Sequence, residues 1–202
     1  MIVTKIEEYK KDRFKIFIDE EFAFCLYRGE LKTYKVILNE ALSESDYNTI
    51  LNELLPKRAK MRAMNLLKAH MYTERDLRNK LKEGLYPSEC IDAAIEYVKS
   101  YGYVDDYEYA RQYIMGRADQ KSRIELKNYL LNKGISVDVF ELVYEEFLNE
   151  VDESDIIKKL LIKKLNGRDA NNLDINEKNK LIRYLVRKGF SYSRIVDVFE
   201  SI

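Results

Sequence analysis

The sequence predicts a mostly α-helical protein: tandem three-helix repeats, about nine helices in all, forming an elongated curved module with a small N-terminal antiparallel β region. Three observations predict it. Gly and Pro number only 7 and 2 in 202 residues, a composition suited to helices and opposed to disorder or collagen-like structure. From about residue 44 onward the apolar residues recur at helical period. One motif, a leucine pair four residues apart followed by a glycine, occurs three times.

The elements follow in order. Ile2, Val3 and Ile6 open a first strand; Phe14, Ile16 and Ile18 alternate with Lys15, Phe17 and Asp19 in a second. The acidic turn Asp19-Glu20-Glu21 leads into Phe22–Tyr27. Period-two alternation between polar turns predicts a meander over residues 1–28. Three strands are marginal alone and are expected to lean on helices within 30–55. Ser45 is the expected N-cap of a helix carrying Ile50, Leu51, Leu54 and Leu55, which Pro56 ends or bends. A helix near 57–70 carries Met61, Met64, Leu66 and Leu67 on one face. Thr73 and Asp76 form a capping-box pattern for a helix ending at Gly84, and Pro87 suits the first turn of the next, closed by Gly102.

The repeat then organises the chain. Leu77/Leu81/Gly84, Leu126/Leu130/Gly134 and Leu181/Leu185/Gly189 mark three copies, the first one residue shorter before its glycine. A helix is expected before each, at 57–70, 106–116 and 154–165, and another after each, at 88–100, 137–149 and 192–200. Met115-Gly116-Arg117 and Asn166-Gly167-Arg168 match at the ends of two of them. The markers lie 49–55 residues apart, a spacing of stacked modules that bury faces against neighbours. The expected domains are 1–55, a β-meander plus helix extension; 56–104, repeat one; 105–150, repeat two; and 151–202, repeat three.

Formal net charge is zero, from 35 basic and 35 acidic residues, which opposes histone-like binding by bulk charge. The charge is unevenly spread. Residues 1–55 carry 8 basic and 11 acidic side chains, 56–133 carry 16 and 11, and 134–202 carry 11 and 13. The excess gathers at Lys57, Arg58, Lys60, Arg62 and Lys68, at Arg75, Arg78, Lys80 and Lys82, and at Arg117, Lys121, Arg123 and Lys127. Such cations on adjacent helices suit phosphates or an acidic protein surface. The alternative is a solvated face with intrahelical pairs such as Glu74–Arg78. Tyr97, Tyr101, Tyr103, Tyr107, Tyr109 and Tyr113 cluster, and their helical spacing places most in the core with hydroxyls at its edge. Base stacking on one or two is the alternative.

Catalytic chemistry finds no foothold. His70, the single histidine, sits at a helix end without a Cys-His or Ser-His pattern and reads as a C-terminal cap or partner contact. Asp105-Asp106 precedes a helix and is read as its cap rather than a metal site. No Walker loop, dinucleotide fingerprint or zinc spacing is present. Cys25 and Cys90 are expected to be buried free thiols. No apolar stretch reaches membrane-span length and the start lacks a signal-peptide pattern, so a cytoplasmic location is expected. No cofactor and no metal are expected.

One segment is distinctive. Leu77…Leu81…Gly84, Tyr101-Gly-Tyr-Val-Asp-Asp-Tyr-Glu-Tyr-Ala-Arg-Gln-Tyr113 and Lys121-Ser-Arg-Ile-Glu-Leu-Lys…Lys133-Gly-Ile135 together resemble the RecX family of recombination regulators, most of all in Gly-Tyr-Val-Asp-Asp-x3-Ala, 102–110. The resemblance covers about residues 57–200, and the strand-rich start is similar to the N-terminal extension of some Gram-positive members. Lys121-Ser122 departs from the family's usual Lys-Gly and removes a flexible residue from the inter-helix turn. The resemblance implies a non-enzymatic protein that lies in the helical groove of the RecA recombinase filament. There it would suppress ATPase and strand exchange, favour disassembly, and so act in homologous recombination, DNA repair and the SOS response.

On this reading the partners are the RecA filament and single- and double-stranded DNA, with no membrane, and the chain is a monomer. Charge position selects Arg58, Arg62, Arg75, Arg78, Arg117, Lys121 and Arg123 as interaction residues. Two other readings stay open: tandem helical modules that bind DNA independently of RecA, and a structural adaptor using apolar grooves.

Overall fold

The computed structural model describes residues 1–150 and 152–201; positions 151 and 202, the outer limits expected for repeat three, lie outside the described residues. The chain forms two compact units, Met1–Val104 and Asp105–Ile202.

In the first unit, β1 (Val3–Lys10), β2 (Arg13–Ile18) and β3 (Glu21–Tyr27) pair antiparallel in sequence order. Asp19 and Glu20 both take positive φ, 47° and 71°, between the paired Ile18 and Glu21. Two left-handed residues give a turn the right-handed strand twist of a tight hairpin. Ile16 pairs with Ile6 on one side and Phe24 on the other, and Val3, Ile16, Ile18, Phe24 and Leu26 are buried.

The helices complete that core. After α1 (Arg28–Thr33), a loop returns along β1 through Val3 N–H to Glu40 O and Asn39 N–H to Val3 O. Helix α2 (Glu44–Thr49) is capped by Ser43, whose Oγ accepts from Asp46 N–H, two residues before the expected Ser45. Pro56 does not end the helix. A π turn over Ile50–Leu54 carries the chain into α3 (Leu55–Leu67), with Pro56 in its first turn, where a missing N–H is tolerated. Then come α4 (Glu74–Lys82) and α5 (Ser88–Ser100); Pro87 is the N-cap of α5 rather than part of its first turn. Ala59 and Ala63 of α3 and Ala94 of α5 have no exposed area, and side chains this small let packed helices approach closely. One apolar cluster runs from Val3 through Leu77 and Leu81 to Val104, so the sheet and repeat one share a core.

The second unit holds α6 (Asp106–Arg117), α7 (Arg123–Asn132), α8 (Val137–Glu150), α9 (Glu153–Leu165), a 3₁₀ turn at Ala170–Asn172, α10 (Ile175–Lys188) and α11 (Tyr192–Glu200). Leu126, Leu130 and Phe140 join Ile157, Leu161, Leu185 and Ile195 in one cluster. Repeats two and three therefore share a core. Helices α3 to α11 are the nine that the three repeats require.

The repeat is in closer register than the glycines suggest. Gly134 and Gly189 are left-handed, φ 91° and 103°, four residues after Leu130 and Leu185. In repeat one the corresponding position is Leu85, φ 58°, four residues after Leu81, and Gly84 is not the equivalent glycine. The next residue closes the helix in all three: Tyr86, Ile135 and Phe190 donate to the carbonyls of Leu81, Leu130 and Leu185, the bond that satisfies an orphan carbonyl at a helix end. Gly84 is small for a different reason, since a Cβ there would lie 2.8 Å from the Tyr86 ring. The match of Gly116 with Gly167 also fails: Gly116 lies inside α6, whereas Gly167 follows left-handed Asn166 beyond α9.

Caps hold the other helix ends. Thr73, Ser122 and Asp174 accept from Asp76, Glu125 and Glu177 N–H at the starts of α4, α7 and α10. Asp105 accepts from Tyr107 and Glu108 N–H at the start of α6. Cys25 and Cys90 are buried free thiols, and burial pushes the Cys90 thiol pKa up. Among the described residues, no helix is long and apolar enough to cross a membrane.

Candidate interaction surfaces

The basic residues of the first unit divide by what their side chains touch. Arg58 turns inward with only 12% of its side chain exposed. Its Nη1 donates to Glu30 at 2.8 Å and to the Cys25 carbonyl at 3.3 Å, and the guanidinium lies over the Tyr27 ring at 4.4 Å. A largely buried cation of this kind fastens α3 to β3 and α1. Arg78 is similarly engaged, at 2.8 Å from Glu74 and 2.5 Å from Asp92, and Lys99 reaches Glu74 at 2.8 Å. Asp92 first and Glu74 second raise the Arg78 pKa; Lys99 above all holds the Glu74 carboxyl below its ordinary value, opposed by burial and assisted by Arg78. The structure thus places Arg58 and Arg78 in ion pairs that join elements. Arg75 is exposed on α4.

Arg62 is exposed on α3. It lines a hollow of about 300 Å³ with Lys10, Arg13, Tyr27, Lys80, Glu83, Gly84 and Tyr86. The strands supply two of its four cations. Arg13 Nη2 donates to the Gly84 carbonyl at 2.6 Å and Lys80 pairs with Glu83 at 2.9 Å, which leaves Arg62 and Lys10 without a carboxylate partner there.

A second groove, about 390 Å³, lies between α3 and α5, lined by Lys57, Lys60, Met61, Met64, Asn65, Lys68 and Tyr97. The α3 members recur every three or four residues and so form one stripe, opposite the buried Ala59 and Ala63. Tyr97 continues into Tyr101 and Tyr103, with ring centroids 5.0 and 6.0 Å apart in turn. These three are 37%, 61% and 52% exposed, against the expectation that most of the cluster is core. Tyr107, Tyr109 and Tyr113 do pack against the second core; Tyr113 stacks on Tyr129 at 4.1 Å. The expectation fails at 97–103 because α5 buries the opposite face, Ile91, Ala94, Ile95 and Val98, and the chain leaves the helix before Tyr103.

In the second unit Ser122 replaces flexibility with a fixed corner. Its Oγ accepts from Glu125 N–H at 3.2 Å, while the Glu125 carboxylate accepts from Ser122 N–H at 2.8 Å, a reciprocal capping box. These bonds lower the Glu125 pKa. Arg117 is exposed on the last turn of α6 and reaches Gln120 at 3.3 Å. Lys121 is half-buried, with no carboxylate partner among the described residues. Arg123 pairs with Glu141, which also takes Lys127 at 2.7 Å, and lies over Tyr144 at 5.1 Å; Lys127 above all lowers the Glu141 pKa, opposed by burial and assisted by Arg123. Repeat three seats against this corner, with Lys188 donating to the Gln120 carbonyl at 2.5 Å. Helix α10 carries a further stripe, Lys180, Arg183 and Arg187, at spacings of three and four. The acidic net of residues 134–202 conceals it; position on the helix reveals it.

No group of His, Cys, Asp and Glu among the described residues has the makings of a metal site. His70 follows α3, exposed, and its backbone N–H bonds the Leu66 carbonyl.

Comparison with known proteins adds the following. The family profile described as RecX, first three-helix domain, matches residues 59–97, and RecX, third three-helix domain, matches 151–199. A regulatory protein RecX of Clostridium acetobutylicum is 30% identical over 215 aligned positions, spanning 99% of this chain and 95% of its own. One of Finegoldia magna is 30% identical, spanning 95% of each. A crystal structure of a regulatory protein RecX superposes with a TM-score of 0.61 at 27% identity, over 97% of this chain and 98% of that one.

Proposed function

This chain belongs to the RecX family of regulatory proteins, and from that premise we propose that it binds the RecA–DNA filament and inhibits its ATPase and strand exchange. The observation that carries the proposal is the span of the similarity. It runs from the sheet to α11, 99% of the chain, and so takes in the sheet and all three repeats rather than one helical module alone.

The proposed action is binding rather than turnover, in the cytoplasm, as a monomer. It modulates homologous recombination and DNA repair. Arg62 in the first unit and Lys121 in the second, which have no carboxylate partner among the described residues, supply the contact, together with Arg75 on α4 and Arg117 on α6, both exposed. Arg58, Arg78 and Arg123 hold those faces in place. The domains proposed are the extension 1–55 and the repeats 56–104, 105–150 and 151–202.

Sedimentation of RecA filaments, assembled on single-stranded DNA with a non-hydrolysable nucleotide, tests the reading. The protein is expected to pellet with filaments at concentrations at which little of it pellets with RecA or with bare DNA alone. Equal pelleting with bare DNA would favour the RecA-independent reading instead.

A further inference from the structure

We propose that the groove between α3 and α5, with the tyrosine ladder beside it, is a binding site for single-stranded nucleic acid. The inference deepens the filament reading by naming what this face contacts, but it rests on the groove itself.

Three features converge. The groove presents Lys57, Lys60 and Lys68 with no carboxylate in its lining, and none of the three makes an ion pair among the described residues. Cations left in this way on one stripe follow a polyanion. Its apolar lining is Met61, Met64 and Tyr97, with Lys60 Nζ 5.2 Å from the centre of the Tyr97 ring. Beside it Tyr101 and Tyr103 extend a continuous row of exposed rings, the last two nearly parallel at 18°.

Large aromatic side chains exposed together are informative where scattered apolar ones are not. Lysines along a backbone path and aromatic faces for successive bases are the two components of sequence-tolerant single-strand binding. A duplex satisfies only the first, because its bases are already stacked. An acidic protein segment also satisfies only the lysines, and leaves the Tyr101 and Tyr103 faces without a role.

The test is fluorescence anisotropy of a labelled oligothymidylate of about 20 nucleotides, longer than a typical 4–16-nucleotide site, without RecA. With 16 Tyr and no Trp, tyrosine emission reports the same event and is expected to fall as bases stack. Three lysine contacts predict a log–log salt slope of about −2, and replacing Lys57, Lys60 and Lys68 by Gln flattens it. Tyr101→Ala with Tyr103→Ala weakens binding about tenfold or more, within the range for lost stacking. Tyr101→Phe with Tyr103→Phe retains it, since the ring face is kept. These side chains lie outside the core, so circular dichroism melts stay as in the wild type.

Absence of binding, unchanged affinity in the Ala pair, equal affinity for a duplex of matched length, or equal affinity for poly-glutamate would each overturn the assignment. Because RecA is absent from the assay, such a failure leaves the filament reading standing.

Discussion

Gly189 sits so close to Arg123 that a Cβ on the glycine would lie 2.9 Å from the Arg123 Cβ. The left-handed end of α10 and the first residue of α7 are thereby pressed together, and repeat three is fixed to the corner that carries Arg117 and Lys121. Gly189→Ala adds both a left-handed side chain and a clash, for an expected loss of about 2–4 kcal/mol in urea unfolding. Gly167 is equally left-handed, φ 85°, but faces open space, so Gly167→Ala is expected to lose only about 1–2 kcal/mol. Equal losses would remove the close approach from the account.

Leu85 and Leu81 are both leucines of the first repeat, with opposite sensitivities. Leu81 is fully buried, and Leu81→Ala is expected to cost about 2–5 kcal/mol. Leu85 occupies a conformation that disfavours a side chain. Leu85→Asn trades part of its apolar contact for a residue that tolerates left-handed backbone, and is expected to stay within about 1 kcal/mol of the wild type. Denaturant midpoints of the two variants decide this.

Arg58 and Glu30 form a pair largely removed from solvent. Arg58→Ala leaves the Glu30 carboxylate unpaired and is expected to destabilise by about 3 kcal/mol. Arg117→Ala with Lys121→Ala, on exposed or half-exposed side chains, is expected to leave the melt unchanged and weaken RecA inhibition. Weakened inhibition confined to variants that also melt early would assign these residues to folding alone.

Glu74 gives a pH dependence with a definite sign. Lys99 and Arg78 hold its carboxyl below the ordinary 4.5, so its contribution is present above that value and lost as pH falls through the lower folded value. The stability gap between wild type and Glu74→Gln is expected to be widest near neutral pH and to close in acid. A gap independent of pH would mean that packing, not charge, carries the effect.

Much of the fold could be read from residue order because its determinants are local. Alternation marks the strands, Thr73 and Asp105 stand where caps belong, and paired leucines mark three helices; the Ser122 cap emerges only with the structure. The misplacements have local causes too. A glycine after paired leucines reads as the helix stop, and in repeat one the surrounding structure puts the left-handed stop on Leu85 instead. Pro56 reads as an end or a bend, and the π turn before it places it instead in the first turn of α3.

The interaction faces were harder to read, because charge along a sequence does not say which way a side chain points. Arg58 and Arg123 count as basic residues, yet each is turned onto a carboxylate brought by another element; for Arg78 the Glu74 pair is legible in the spacing, whereas Asp92 of α5 is not. Lys180, Arg183 and Arg187 vanish into an acidic average. Tyr97, Tyr101 and Tyr103 share the spacing of core tyrosines and differ only in which face of α5 is already buried.

The most direct test of the central claim is the DNA-stimulated ATPase of RecA, titrated with this protein at fixed salt alongside its binding to the same free DNA. Filament binding predicts inhibition at concentrations far too low to occupy the free strand. Inhibition that rises only as the DNA becomes saturated would contradict it, and would make competition for DNA the basis of any regulation.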